Sequence, residues 1–212
     1  MASKKALLKK CGLCVIADKE TCGDTVKLLR KIKASQGDPA FLFQLRDKRK
    51  DKRGEMLREA RKLKTLAGKN TLFIINDHPD IAMAVKADGV HLGQEDLPLG
   101  AARKLLGKSK IIGISCHNLK EALRAQKEGA DYIGIGPVLP TPTKPENKAI
   151  GTDVLKKLSR SLRIPFFAIG GIDETNLNRI LAAGAKRAAV CRAVCLSKNV
   201  PAAFTRLNER LK

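Results

Sequence analysis

The sequence predicts an α/β protein, a single-domain (β/α)8 TIM barrel, on three observations. Eight short apolar runs rich in β-branched residues recur along the chain, and helical patterns separate them. With 212 residues, eight such units leave almost no room for a second domain. One domain spanning residues 1–212 is therefore expected, closed into a barrel rather than open as a doubly wound sheet. The 43% hydrophobic content suffices for one sizeable core.

The expected strands, in order, are LCVIA (Leu13 to Ala17), AFLFQL (Ala40 to Leu45), TLFII (Thr71 to Ile75), GVHL (Gly89 to Leu92), KIIGIS (Lys110 to Ser115), DYIGIG (Asp131 to Gly136), PFFAIG (Pro165 to Gly170) and RAAVC (Arg187 to Cys191). Among the intervening helical patterns, NLKEALRAQKEGA puts Leu119, Ala122, Leu123 and Gln126 on one face and stops at Gly129. The helix-ending Gly-Ala of EGADYIGIG recurs in AGAKRAAVC, as a repeating strand–helix unit requires.

No apolar stretch approaches the roughly 20 residues of a membrane span, and MASKKALLKK is too short in its apolar part for a secretory signal. A soluble, cytoplasmic protein without membrane partners is expected. The six cysteines (Cys11, Cys14, Cys22, Cys116, Cys191 and Cys195) are scattered and are expected to be reduced, half-buried thiols. Cys11 and Cys14 form a C-x-x-C, but no second pair follows and His78, His91 and His117 are far apart, which disfavours a metal or redox role.

The formal net charge is +21, yet the positive residues are spread along the whole chain, with only short clusters such as RDKRKDKR (Arg46 to Arg53). Trp is absent and Tyr occurs once, so there is no stacking platform for bases. The charge reads as a solvated surface that draws in small phosphorylated substrates rather than as a specific nucleic-acid site. It carries no signal of oligomeric state.

Catalytic groups of such barrels project from the C-terminal ends of the strands. Asp77 follows the third strand and Asp96 lies just past the fourth, so adjacent strands present two carboxylates to one mouth. Neighbouring carboxylates repel unless they share a proton or a cation. The second strand ends QLRDK, and alternation sends Gln44, Arg46 and Lys48 to one side, beside Asn76 and Asp77. That set suits Mg²⁺ bound to a diphosphate, the acids on the metal and the basic groups on the remaining oxygens. Taken singly, Asp77 reads equally as a helix cap and Asp96 as the start of the loop before Pro98.

GIGPVLPTPTK offers Thr141, Thr143 and Lys144 to anionic oxygens on a loop held extended by Pro140 and Pro142; as structure alone, such a loop is ordinary. AIGGID places Gly170 and Gly171 at the end of the seventh strand, with the next helix expected to start near Asp173. Glycines there let backbone N–H groups approach a phosphate, and Cys191-Arg192 after the eighth strand forms the other wall. Two anion sites follow, a metal-assisted diphosphate site near strands two to five and a monophosphate site near strands seven and eight. Displacement of diphosphate by a second phosphorylated molecule is the expected chemistry.

The blocks QLRDK, IINDHPDIAMAVKADGVHLGQED, IIGISCHNLKEA, GADYIGIGPVLPTPTK, FFAIGGID and GAKRAAVCRAV, in this order, resemble thiamine phosphate synthase across nearly the whole chain. The resemblance implies a transferase that joins 4-amino-2-methyl-5-hydroxymethylpyrimidine diphosphate to 4-methyl-5-(2-phosphoethyl)thiazole, or its carboxylated form, with Mg²⁺ required. Thiamine phosphate and pyrophosphate would be the products. By matching position it implies that Asp77 and Asp96 hold Mg²⁺ and that Arg46, Lys48, Asn76, Ser115 and Lys144 contact the diphosphate. Gln44 would line the pyrimidine side. Thr141, Thr143, Gly171, Cys191 and Arg192 would receive the thiazole phosphate.

The family's dissociative reaction needs no general base, because the thiazole nitrogen already carries a lone pair; Arg46, Lys48 and Lys144 would stabilise the leaving group. His117, close to Ser115, is either a supporting donor or structural. The chain departs from the family where Cys14 and Leu139 stand in place of frequent aromatic residues. Two rivals remain, a related thiazole tautomerase, which has no use for the diphosphate and metal set, and a barrel that acts without turnover as a phosphate-ligand sensor or a basic nucleic-acid partner.

Overall fold

The computed structural model describes residues 3–49, 51–142 and 148–211. Its strands are β1 (Leu13–Asp18), β2 (Phe41–Arg46), β3 (Thr71–Asn76), β4 (Gly89–Leu92), β5 (Ile111–Cys116), β6 (Tyr132–Ile135), β7 (Phe166–Ile169) and β8 (Ala188–Val190). The helices are α1 (Lys4–Lys10), α2 (Lys19–Cys22), α3 (Thr25–Lys33), α4 (Arg53–Ala67), α5 (Pro79–Ala84), α6 (Leu99–Leu106), α7 (Leu119–Lys127), α8 (Asp153–Ser161), α9 (Leu177–Ala182), α10 (Arg192–Cys195) and α11 (Val200–Glu209).

All neighbouring strands are parallel and the sheet closes in the order β1 to β8, with Cys14 of β1 beside Ala189 of β8. Each of the eight expected runs is a strand. The first, second, third and fifth extend one residue further than expected, which brings Asp18, Arg46, Asn76 and Cys116 into the sheet.

Alternation divides the core in two. Cys14, Ile16, Leu42, Leu72, Ile74, Ile111, Tyr132, Phe167 and Ala189 fill the barrel, and Leu8 and Cys11 close its N-terminal end. The apolar residues that alternate with these, such as Val15, Phe43, Phe73 and Ile133, face the helices. Burial on both faces is why the strands read as continuous apolar runs rather than as alternating ones.

Helix α1 forms because Ser3 caps it, its Oγ accepting from the Ala6 N–H at 3.2 Å. It is tied across the barrel floor by Lys4 to Asp88 and Lys5 to Asp131, each at 2.9 Å. Burial pushes the Asp88 carboxyl up, but Lys4, the Phe73 N–H and Lys64 outweigh it and hold the group below the ordinary carboxylate range.

Three expectations are corrected. In α7 the inward residues are Ala122 and Ala125, while Leu123 is 38% exposed, because it lies about 100° around the helix from Ala122. Helix α9 begins at Leu177 rather than near Asp173, because Asp173 Oδ1 accepts from the Thr175 N–H at 2.8 Å and the Thr175 hydroxyl at 2.6 Å, forming a separate turn. The cysteines are not all reduced, since Cys22 and Cys195 form a disulfide. Although 173 residues apart in sequence, they meet because closure sets β1 beside β8 and so α2 against α10. Among the described residues no helix is long and apolar enough to cross a membrane.

Candidate active site

At the C-terminal ends of β3 and β4 the chain turns sharply. Asp77 adopts a left-handed conformation, φ 61°, and its N–H donates to the His91 carbonyl at 2.8 Å. Aspartate tolerates this region better than most residues, and such a conformation away from glycine is characteristic of functional turns. The capping reading of Asp77 is not what the structure shows, since α5 takes His78 as its N-cap and has no side-chain cap bond. Instead the Asp77 carboxylate pairs with the Lys48 ammonium and meets the Asp96 carboxyl.

Asp96 Oδ2 also accepts from the Gly93 N–H at 2.6 Å, which folds the β4 loop back over the mouth. Burial, and then the contact with Asp77, pushes the Asp96 carboxyl up from its ordinary value. Two acids forced together behind one lysine form a hard oxygen donor set with an electrostatic deficit, and a divalent cation of the Mg²⁺ class fits it.

Beside the acids, Gln44 and Asn76 are buried and joined by an Nε2–H to Oδ1 bond of 2.7 Å. Arg46 pairs with Asp18, its register partner on β1. Asp18 is anchored in turn by the Thr21 N–H at 3.0 Å and hydroxyl at 2.9 Å. The guanidinium is thus held at the mouth by an aspartate that is itself fixed.

Ser115 ends a chain of three side chains. His91 Nε2 lies 2.9 Å from Ser115 Oγ, and His91 Nδ1 lies 2.9 Å from the Tyr132 hydroxyl. Burial pushes the Tyr132 phenol well above its ordinary value, so it stays protonated and one hydrogen is shared between its oxygen and His91 Nδ1. At its other nitrogen the imidazole holds the Ser115 hydroxyl in place at the mouth. Gly113 makes room for the pair, since a Cβ there would sit 2.1 Å from Tyr132 Cζ and 2.6 Å from His91 Nδ1.

A cavity of about 540 Å³ opens on the other side of Arg46 and Ser115 and is walled by Thr141, Gly171, Cys191 and Arg192. Gly170 and Gly171 both have positive φ, and a Cβ on Gly171 would lie 2.5 Å from the Pro140 carbonyl oxygen. The Gly-Gly therefore also lets the proline loop close against β7. Gln44, Lys48, Asn76, Asp77 and Asp96 do not line this cavity but gather at the β2–β4 side of the mouth. Thr143 and Lys144 lie outside the described residues. His117 also lines this cavity, while its backbone N–H donates to Glu121 Oε2 at 2.8 Å in the cap of α7.

The thiamine monophosphate synthase family model matches residues 13–194. The chain belongs to this family. It is 42% identical over 209 residues to a thiamine-phosphate synthase of Synechococcus sp. (strain WH7803), which covers 98% of the chain but 59% of that relative. It is 44% identical over 195 residues to the thiamine-phosphate synthase of Methanospirillum hungatei JF-1, covering 91% of the chain and 94% of the relative. The solved thiamine phosphate pyrophosphorylase of Pyrococcus furiosus superposes with a TM-score of 0.85 at 35% identity, over 97% of this chain and 96% of that one. The chain thus spans about three fifths of the Synechococcus relative's length and nearly all of the other two.

Within this family fold, sequence reasoning passed over Asp18, His91 and Tyr132. The signal was present for the last two. Alternation in GVHL and DYIGIG turns Gly89 and His91, and Tyr132 and Gly134, towards the barrel axis, as it does Gln44 and Arg46.

Proposed function

We propose that the protein is a thiamine phosphate synthase, joining the hydroxymethylpyrimidine diphosphate to the thiazole phosphate with release of pyrophosphate. The observation that carries this reading is a mouth divided in two. The acid pair with Lys48, Gln44 and Asn76 stands on one side and a glycine-walled cavity on the other, with Arg46 and Ser115 between them. Two phosphorylated substrates fit such a mouth, one on each side of Arg46.

Asp77 and Asp96 would hold Mg²⁺, which supplies positive charge to the leaving diphosphate. Arg46 and Lys48 bind the diphosphate oxygens, and Ser115, oriented by His91, donates its hydroxyl hydrogen to them. Gln44 and Asn76 hold each other in place where the pyrimidine enters. The monophosphate of the second substrate is received by Thr141, by the backbone at Gly171 and by Cys191 and Arg192. Thr143 and Lys144 complete the two anion sites in this proposal.

The C–O bond breaks with its electron pair passing to the diphosphate, and the thiazole nitrogen lone pair forms the new C–N bond to the pyrimidine methylene carbon. No proton need be removed for this, which accounts for a mouth of charges and hydrogen-bond donors around a buried His91.

The test is pyrophosphate release with both substrates, with Mg²⁺ and then with EDTA. Release that needs the metal and both substrates, and yields thiamine phosphate, is expected. Absence of release by folded protein, with either phosphate still bound, would overturn the reading in favour of a ligand-binding barrel.

A further inference from the structure

We propose that Cys22, Cys191 and Cys195, once reduced, form a thiolate site for a soft divalent metal of the zinc class. Their three sulfurs lie within 4.8 Å of one another. They come from the end of α2, from the residue after β8 and from the end of α10, so closure of the barrel assembles the cluster and no local motif announces it. Cys191 and Cys195 are four residues apart and lie on one side of the α10 turn, with Cys22 facing them from α2.

Zinc–sulfur bonds of about 2.3 Å in tetrahedral geometry set sulfurs about 3.8 Å apart, so the Cys191 sulfur need approach by roughly 1 Å or less, while the Cys22 and Cys195 sulfurs separate once their bond is reduced. All three residues are half-buried, which shields the site while leaving a path in. Cys191 also lines the cavity, so solvent there would supply the fourth ligand.

The Cys22–Cys195 disulfide is the oxidised form of the same cluster, and its Cα–Cα separation of 5.3 Å shows that the backbone already holds both arms together. A dithiol converts one form into the other. It gives two electrons and two protons to the Cys22–Cys195 bond, yielding two thiols, and itself becomes a disulfide. The metal then displaces three thiol protons into solution.

The remaining thiols are built differently. Cys11 and Cys14 are buried at the barrel floor, where burial pushes Cys11 up to about 12, and the Cys11 Sγ–H donates to the Leu7 carbonyl at 3.3 Å. Cys116 is buried, and burial likewise pushes it up to about 12. These positions serve as internal controls.

The test uses the whole chain, reduced with dithiothreitol, freed of it under anaerobic conditions and titrated with Cd²⁺ or Zn²⁺. One equivalent is expected to bind, with a sulfur-to-cadmium charge-transfer band, and the oxidised protein is expected to show no band. Cys22→Ser, Cys191→Ser and Cys195→Ser should each lose the band, whereas Cys116→Ala should keep it. In wild-type protein, where no variant can misfold, bound metal should protect Cys22, Cys191 and Cys195 from alkylation mapped by mass spectrometry. Protection of Cys11 and Cys14 instead, or no uptake by the folded reduced chain, would overturn the proposal.

Discussion

Tyr132→Phe removes one hydroxyl from a side chain that is 1% exposed and leaves its ring in place, edge-on to Phe167 at a centroid distance of 5.6 Å. The loss is the 2.9 Å bond to His91 Nδ1, so a buried imidazole nitrogen forfeits its phenol partner. Such a loss costs about 1–3 kcal/mol, because the partner stays desolvated. If His91 fixes the Ser115 hydroxyl for the leaving diphosphate, that cost falls on the transition state, and kcat should drop by about 5- to 150-fold with KM nearly unchanged.

The assay is steady-state pyrophosphate release for wild type, Tyr132→Phe, Ser115→Ala and the double variant. Because Tyr132 acts through Ser115, the two changes should be non-additive, with a coupling of at least about 0.5 kcal/mol in log kcat. Full additivity, or a fall in melting temperature with kcat intact, would refute the positioning role and leave the triad as core hydrogen bonding.

Gly113→Ala places a methyl 2.1 Å from Tyr132 Cζ, and overpacking of about 1–3 kcal/mol should lower the urea midpoint and the activity together. Asp96→Asn removes the clash with Asp77 while its side-chain oxygen can still accept from Gly93. The metal-free variant should therefore melt no lower than wild type, with any gain within about 1 kcal/mol because solvent screens the pair, and Mg²⁺ should raise the melting temperature of wild type alone. An equal Mg²⁺ response in both would remove Asp96 from the metal site. Asp88 is held below its ordinary 3.8, so its contribution to stability is complete above that value and is lost as pH falls through the lowered folded value. Asp88→Asn should weaken the protein at neutral pH by about 1–3 kcal/mol and flatten the acid limb of a urea-stability profile taken below about pH 4.

Strand positions were legible because a parallel barrel buries both faces of each strand, which leaves a one-dimensional signature in LCVIA, TLFII and KIIGIS. Helix boundaries were less so. The start of α9 depended on a side chain, Asp173, that competes for backbone donors, and the buried face of α7 is lined by alanines rather than by its most apolar residue. In the candidate site, the placement of Asp77, Asp96, Arg46 and Lys48 at the mouth was readable because each stands at or shortly after the C-terminal end of a strand.

By itself the sequence determined the eight-unit barrel, the end of it that carries charge and the family, since all three follow from local pattern and motif order. Only the tertiary structure decided which side chains touch: Arg46 with Asp18, Lys48 with Asp77, Ser115 with His91 and Tyr132, and Cys22 with Cys195. The physical reason is closure of the sheet. It joins β1 to β8 and turns alternate residues of neighbouring strands inward, so these contacts depend on register and barrel stagger rather than on anything adjacent in the chain.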